Sequence, residues 1–238
     1  MAARHTPHTI HPQLLKAVAT GDAELLEQVL GLQSSATEEQ GETEEQGEES
    51  CLKGVTAEGS SALHIAASCG YLELVKMICA QDISLIKARN NMLDTPLICA
   101  ARAGHVDVAE YLMECAIDEQ EDLMARNLDG ETAMHEAVRN GHFLILKGLM
   151  SRDNRLAAVV NENGVSPLYL AVASNRADMV KALIGNSSHG ATPATVSYSG
   201  PDGQTALHAA VYISKVHEHF HNHMLNPLRS FRQPVPPC

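Results

Sequence analysis

The sequence predicts an all-α solenoid of stacked helix pairs, with about five full repeats and a partial sixth. The first observation is a ten-residue segment that occurs in its clearest form at residues 61–70, 95–104 and 132–141. Weaker copies cover residues 166–175 and 12–21, and the first half returns at 205–211. Successive starts from residue 61 onward are 34, 37, 34 and 39 residues apart, a period that is typical of stacked helical repeats.

The second observation is the apolar pattern that follows each ten-residue segment. In five copies, the fourth, fifth, eighth and ninth positions after the closing residue are all apolar. The sixth position is always charged, with Glu27, Lys76, Glu110, Lys147 and Lys181. These offsets predict a second helix that buries one face and exposes the other.

The ten-residue segment itself predicts a shorter first helix. A hydroxyl side chain that can cap a helix begins each clear copy and the partial sixth: Ser61, Thr95, Thr132, Ser166 and Thr205. The first inward-facing anchors are predicted two positions later, at Leu63, Leu97, Met134, Leu168 and Leu207. A glycine closes the segment where the helix should end in a left-handed residue, and Asn175 is the best substitute for it.

These patterns divide the chain into five parts. Residues 1–10 are predicted to be a flexible N-terminus, and residues 11–32 a first, divergent repeat. Residues 33–53 are predicted to be a disordered acidic insert, because a tandem Thr-Glu-Glu-Gln-Gly-Glu and the following Glu49 bring seven glutamates and no basic residue. Repeats are expected over residues 54–211, and an irregular tail rich in His and Pro over residues 212–238.

Charge, hydropathy and cysteine content indicate which partners and which cell compartment to expect. The formal net charge of −12 argues against a nucleic-acid partner, because binding phosphate needs Lys and Arg. No apolar run of about 18 residues is present, and the N-terminus lacks an apolar signal region. The six cysteines form no Cys-x-x-Cys pair. We therefore expect a cytoplasmic protein without a membrane span, with no cofactor and no metal.

The histidine-rich segment at residues 217–223 has two interpretations. Four alternating histidines could bind zinc or nickel if the segment were extended. No cysteine or carboxylate pair supports a fixed tetrahedral site, so a frayed tail is the preferred interpretation.

The repeats resemble the ankyrin family over about residues 12–211. Its pattern Asp-Gly-x-Thr-Pro-Leu-His-x-Ala-Ala-x-x-Gly-His is nearly complete from Asp129 to His142. The resemblance implies that the recurrent histidines, His64, His135 and His208, bond to the backbone and to neighbouring repeats. Ile98 and Tyr169 replace this histidine in two repeats, which places apolar groups on the helix that lines the groove of the family.

The long spacers between repeats are similar to those of plant ankyrin proteins of the accelerated-cell-death class. Residues 80–90 and 197–211 carry this similarity. The class joins an ankyrin array to a membrane domain named for a Pro-Gly-Gly motif, and it acts in defence and cell-death signalling. This chain has neither that motif nor a spanning segment.

The predicted function is a non-catalytic scaffold for protein–protein interaction in signalling. The expected partner-binding residues lie at turn tips and on first helices: Met92, Leu93, Ile98, Arg102, Leu128, His135, Arg139 and Tyr169. Arg102 and Arg139 share one column, and they predict either a basic spot for an acidic or mixed peptide or two unrelated solvated arginines.

Two other functions are alternatives to a free interaction scaffold. The chain could be the truncated cytosolic part of a membrane-anchored signalling protein and compete for its partners, which would bring it to the cytoplasmic side of a membrane. An enzyme is disfavoured, because the sequence has no phosphate-binding loop and no paired nucleophile and base.

Overall fold

Residues 9–31, 51–116, 123–185 and 196–214 are described by the computed structural model, and they form a stack of helix pairs. The helices are α1 (Pro12–Thr20), α2 (Ala23–Val29), α3 (Ala62–Cys69), α4 (Leu72–Gln81), α5 (Pro96–Ala103), α6 (Val106–Cys115), α7 (Ala133–Asn140), α8 (Phe143–Arg152), α9 (Pro167–Ala173) and α10 (Ala177–Gly185). A helical stretch at residues 206–214 is the first helix of a sixth unit. Short 3-10 helices cover Cys51–Lys53, Ile83–Lys87, Asn154–Ala158 and Pro201–Gly203. The predicted all-α solenoid of stacked helix pairs is confirmed.

The helices form two layers with the core between them. The first helices of successive repeats contact one another from α1 through α3, α5 and α7 to α9, and the second helices do so from α2 to α10. All twelve predicted apolar positions in α4, α6 and α8 are buried. At the ends of the stack the burial is incomplete, since Leu25 is only partly buried and Ile184 is exposed.

The predicted helix caps are confirmed. The Thr95 hydroxyl accepts a hydrogen bond from the backbone N–H of Ile98 at 3.3 Å, and Ser166 does the same for Tyr169 at 3.2 Å. Gly141 ends α7 with a φ of 88°, and Asn175 has a φ of 53°. Asparagine tolerates this left-handed conformation better than other residues with a Cβ.

Three predicted boundaries need correction. The acidic insert was predicted to reach residue 53, but Cys51–Lys53 is a 3-10 helix whose Leu52 is buried. The predicted flexible N-terminus does not extend to residue 10, because Ile10 is buried and its N–H donates to the Val55 carbonyl at 3.0 Å. Residues 212–214 are helical rather than irregular. Residues 1–8, 32–50 and 215–238 lie outside the described residues, and with them the rest of these predictions and the histidine segment.

The prediction that Leu207 is an inward anchor is wrong. Its side chain is 71% exposed, whereas Leu168 in the same column of the preceding repeat is buried. Ala206 and Ala209 are the residues of this helix that are buried. Leu168 belongs to a repeat that has two helices and is followed by another unit. Within the described part of the chain, the helix at residues 206–214 has no second helix beside it and no unit after it.

None of the described helices is long and apolar enough to cross a membrane.

Candidate functional site

The turn tips that precede the first helices are joined into a continuous edge. The Asn91 N–H donates to the Glu58 carbonyl at 3.0 Å, and the Leu128 N–H donates to the Met92 carbonyl at 2.8 Å. The Glu162 N–H continues the series, with the Asp129 carbonyl as its acceptor at 3.0 Å. Side chains at these tips therefore have fixed spacings from repeat to repeat.

Three asparagines hold the tips against the first helices. The Oδ1 atoms of Asn90, Asn127 and Asn161 each accept two backbone N–H groups, two and four residues further along, at 2.9 to 3.1 Å. The Asn127 Nδ2 atom donates to Asp94 Oδ1 at 3.2 Å, and the Asn161 Nδ2 atom donates to Glu131 Oε1 at 2.9 Å. The tips at Asn127 and Asn161 are thus each bonded to a carboxylate of the preceding repeat.

Arg102 joins two repeats through two buried carboxylates. Its Nη1 and Nη2 atoms donate to Asp94 at 2.7 and 2.9 Å, and Asp94 belongs to its own repeat. Its Nε and Nη2 atoms donate to Glu136 Oε1 of the next repeat at 2.9 and 2.6 Å. The hydrogen bonds that Arg102 donates to Asp94, and then those to Glu136, raise its pKa, so the charge is retained at any relevant pH.

Arg139 lies in the same column but has fewer partners. Its Nη2 atom donates to Glu131 Oε1 of its own repeat. Among the described residues, its Nε and Nη1 atoms donate to no acceptor. The side chain of Glu131 is buried, whereas that of Arg139 is 47% exposed.

These residues line an open groove of about 600 Å³ across the third to fifth repeats. Its lining comprises two arginines, three carboxylates, three asparagines and two apolar side chains: Arg102, Arg139, Asp129, Glu131, Glu136, Asn140, Asn161, Asn163, Val165 and Leu170. The carboxylates outnumber the arginines, and both arginines are paired. The two arginines are therefore neither an unpaired basic spot nor two unrelated solvated side chains, because Arg102 is paired with two carboxylates and Arg139 with one.

Ile98 and His135 were predicted to contact a partner, and their burial contradicts this. Ile98 is 1% exposed and His135 is 0% exposed. The His135 Nδ1 atom accepts the Thr132 N–H at 3.2 Å, and its Nε2–H group donates to the Val165 carbonyl of the next repeat at 3.2 Å. Both ring nitrogens are used inside the stack, as the resemblance implied.

His64 makes the same bond to the next repeat, and His208 makes none to another repeat among the described residues. The His64 Nε2–H group donates to the Asp94 carbonyl of the next repeat at 2.9 Å. Among the described residues, His208 is bonded to its own cap alone, with Nδ1 at 3.1 Å from the Thr205 N–H nitrogen and at 2.9 Å from the Thr205 hydroxyl oxygen. Burial lowers the pKa of His64, and it lowers that of His135 to about 4, so the internal rings are neutral.

The remaining predicted site residues are accessible. Met92, Leu93 and Leu128 are exposed at adjacent turn tips. Tyr169 is half-buried, and its hydroxyl donates to Gln204 Oε1 at 3.0 Å. Contact of these four residues with a partner stays a prediction.

The carboxylates of the groove were missed from the sequence. Asp94 and Glu131 both directly precede the capping threonine, and each is eight residues before the arginine with which it pairs. That repeated acid-to-arginine spacing is visible in the sequence. Glu136 gives no such signal, because it has no acidic counterpart at the same position of another repeat.

The described residues offer little for catalysis or metal binding. They contain no group of three or more His, Cys, Asp or Glu that could hold a metal ion. Burial raises the pKa of the Cys79 and Cys99 thiols to about 12, so neither is a ready nucleophile.

Comparison with known proteins gives one family and several longer relatives. The family model for ankyrin repeats in three copies matches residues 14–121 and 114–197. Protein ACCELERATED CELL DEATH 6 of Arabidopsis thaliana is 34% identical over 139 residues, which are 53% of this chain and 21% of that protein. The B-cell lymphoma 3 protein homolog of Mus musculus is 31% identical over 149 residues, 62% of this chain and 32% of that protein. The chain spans about a fifth to a third of the length of these relatives.

Proposed function

The chain belongs to the ankyrin-repeat family, and we propose that it is a non-catalytic scaffold that binds a protein partner in the groove of its third to fifth repeats. The observation that carries the proposal is the groove itself. It is about 600 Å³ in volume, and four of its polar side chains are held in place by hydrogen bonds between repeats, Arg102 to Glu136 and Asn161 to Glu131. Pre-organised side chains lose little entropy on binding, which favours a specific partner.

The groove differs from the conserved frame of the repeats in its chemistry. Capping hydroxyls and apolar columns recur from repeat to repeat, whereas one groove position changes from Glu136 to Leu170 in successive repeats. Positions that vary on a fixed frame are where repeat proteins place specificity. The exposed apolar tips at Met92, Leu93 and Leu128 extend this surface at one side.

We further propose a role in signalling, in defence or the control of cell death, within the cytoplasm. The support is the 34% identity to a protein whose name refers to accelerated cell death. A part in a longer signalling protein is the second candidate, favoured by the small share of each relative that this chain covers. In either case the interaction surface would be the same groove.

The test is cross-linked capture from the tissue that makes the protein. The groove variant carries Asp129→Arg and Asn163→Arg, two exposed lining residues whose side chains make no hydrogen bond among the described residues. The control carries Glu110→Arg on the exposed face of α6, and circular dichroism checks that both variants fold. We expect specific partners to be lost from the groove variant and kept by the control. Equal recovery from both variants would show that the groove is not the interface.

A further inference from the structure

Arg102 and Arg139 occupy equivalent positions, seven residues after a capping threonine. Only Arg102 is bonded to two carboxylates among the described residues. Arg102 donates four hydrogen bonds to two carboxylates. Arg139 meets one carboxylate, that of Glu131, through Nη2 alone. Within the described part of the chain, the Nε and Nη1 groups of Arg139 are open to the groove.

The cause of this difference is a single position in the following repeat. Glu136, the second carboxylate at Arg102, lies four residues after the capping Thr132. The residue four positions after the next cap, Ser166, is Leu170. Leu170 and Arg139 line the same groove. The fifth repeat thus keeps the arginine's surroundings but lacks the carboxylate that would complete them.

We propose that Arg139 and Leu170 form the subsite for one acidic side chain of the partner, next to an apolar residue of the same segment. The partner's carboxylate takes the position at Arg139 that Glu136 takes at Arg102. At Arg102 the carboxylate of Glu136 is held by Nε and Nη2. Arg139 has the same face for a partner's carboxylate, made of its Nε–H and the second N–H of Nη2. The apolar neighbour packs on the partly buried Leu170. This inference rests on the proposed function, because it names the partner chemistry of the same groove.

The surrounding charges restrict the segment further. Asp129 is exposed at the rim, and Glu131 and Glu136 lie at the floor of the groove. The whole chain carries a formal charge of −12. A run of acidic residues would be repelled by this field, whereas a single carboxylate can be held by the N–H groups of Arg139 that bond to no other described residue. The expected partner segment therefore has a single acidic residue within an otherwise neutral or basic sequence.

The experiment is selection of a phage-displayed random dodecapeptide library on the immobilised full chain. We expect enriched peptides to hold one Asp or Glu beside a Leu, Ile, Met or Phe. The strongest peptide is then titrated by fluorescence anisotropy. Replacing its acidic residue by the amide should weaken binding to the wild type by about tenfold, the effect of losing about 1.4 kcal/mol.

Two variants at one position separate charge from shape. Leu170→Glu supplies the missing carboxylate from within the chain, so we expect it to occupy Arg139 and weaken peptide binding by about tenfold. Leu170→Gln has the same shape without the charge and should bind at least several times more tightly than Leu170→Glu. Arg139→Gln provides an independent check and should bind the acidic peptide and its amide equally.

Three results would overturn the inference: enrichment of basic peptides, no enrichment at all, or unchanged binding by Leu170→Glu. None of them decides the proposed function, which depends on cross-linked capture. The selected peptides could be basic and fail to bind the variant that carries Asp129→Arg and Asn163→Arg. The groove would then remain the proposed interface, and only the acidic subsite would be ruled out.

Discussion

The buried histidine of the fourth repeat should make the stability of this protein depend on pH. His135 is 0% exposed, and the desolvation of its ring is the main reason that its pKa falls to about 4. In the unfolded chain the pKa should be close to the ordinary 6.5. Between these two values the unfolded state binds a proton that the folded state does not. Folding stability is therefore present above pH 6.5 and is lost as the pH falls towards 4.

The size of the loss follows from the two pKa values. Lowering the pH to 5.0 takes the unfolded histidine about 1.5 units below its pKa, while the folded ring stays neutral. At about 1.4 kcal/mol per unit, His135 contributes a loss of about 2 kcal/mol between pH 7.5 and 5.0. His64 is shifted in the same direction and adds to the loss.

The assay is urea unfolding followed by circular dichroism at 222 nm, at pH 7.5 and at pH 5.0. We expect the wild type to lose at least about 2 kcal/mol at the lower pH, and His135→Gln to lose about 2 kcal/mol less than the wild type does. His208→Gln is the matched control, because His208 has the same place in its repeat but is exposed. A wild-type midpoint that is equal at both pH values would refute the argument, as would a His135→Gln variant with the full wild-type loss.

Three further changes test other parts of the structure by the same unfolding assay at pH 7.5. Arg102→Met should lower the free energy of unfolding by about 2–3 kcal/mol, which is less than for a fully buried pair because Arg102 is partly exposed. Arg139→Met should lower it by about 1 kcal/mol. Equal losses would contradict the difference in pairing. Leu168→Ala should lower the free energy of unfolding by about 2–5 kcal/mol, and Leu207→Ala by less than about 0.5 kcal/mol. Similar losses for the two variants would mean that the Leu207 side chain is buried. Leu93→Gly should raise stability by up to about 1 kcal/mol, because Leu93 has a φ of 59° at a tip position where other repeats have glycine; a clear loss would show that its side chain packs.

The repeat frame was predictable because its determinants are local. A capping hydroxyl, an apolar residue at fixed offsets and a left-handed closing residue act within about ten positions of one another. Their recurrence was enough to predict every described helix pair, and also the neighbour-repeat bonding of His64 and His135. The prediction failed at Leu207, where the local pattern continues but the following unit that would bury it is not part of the described structure.

The chemistry of the groove was less predictable, since it depends on pairs of residues about one repeat apart. The sequence alone placed Arg102 and Arg139 in one column and could not tell paired arginines from free ones. Stacking of the repeats brings Glu136 to Arg102 and leaves Leu170 opposite Arg139. It also buries Ile98, which the sequence placed on the binding surface.

The sequence by itself therefore determined the fold class, the number of full repeats and the helix ends, because short-range geometry repeats along the chain. Only the tertiary structure decided which charges are neutralised and which donors remain open to a partner. The physical reason is that a charge is satisfied by whatever lies within about 3 Å of it, and that neighbour can belong to the next repeat, as Glu136 does for Arg102 across 34 residues of sequence.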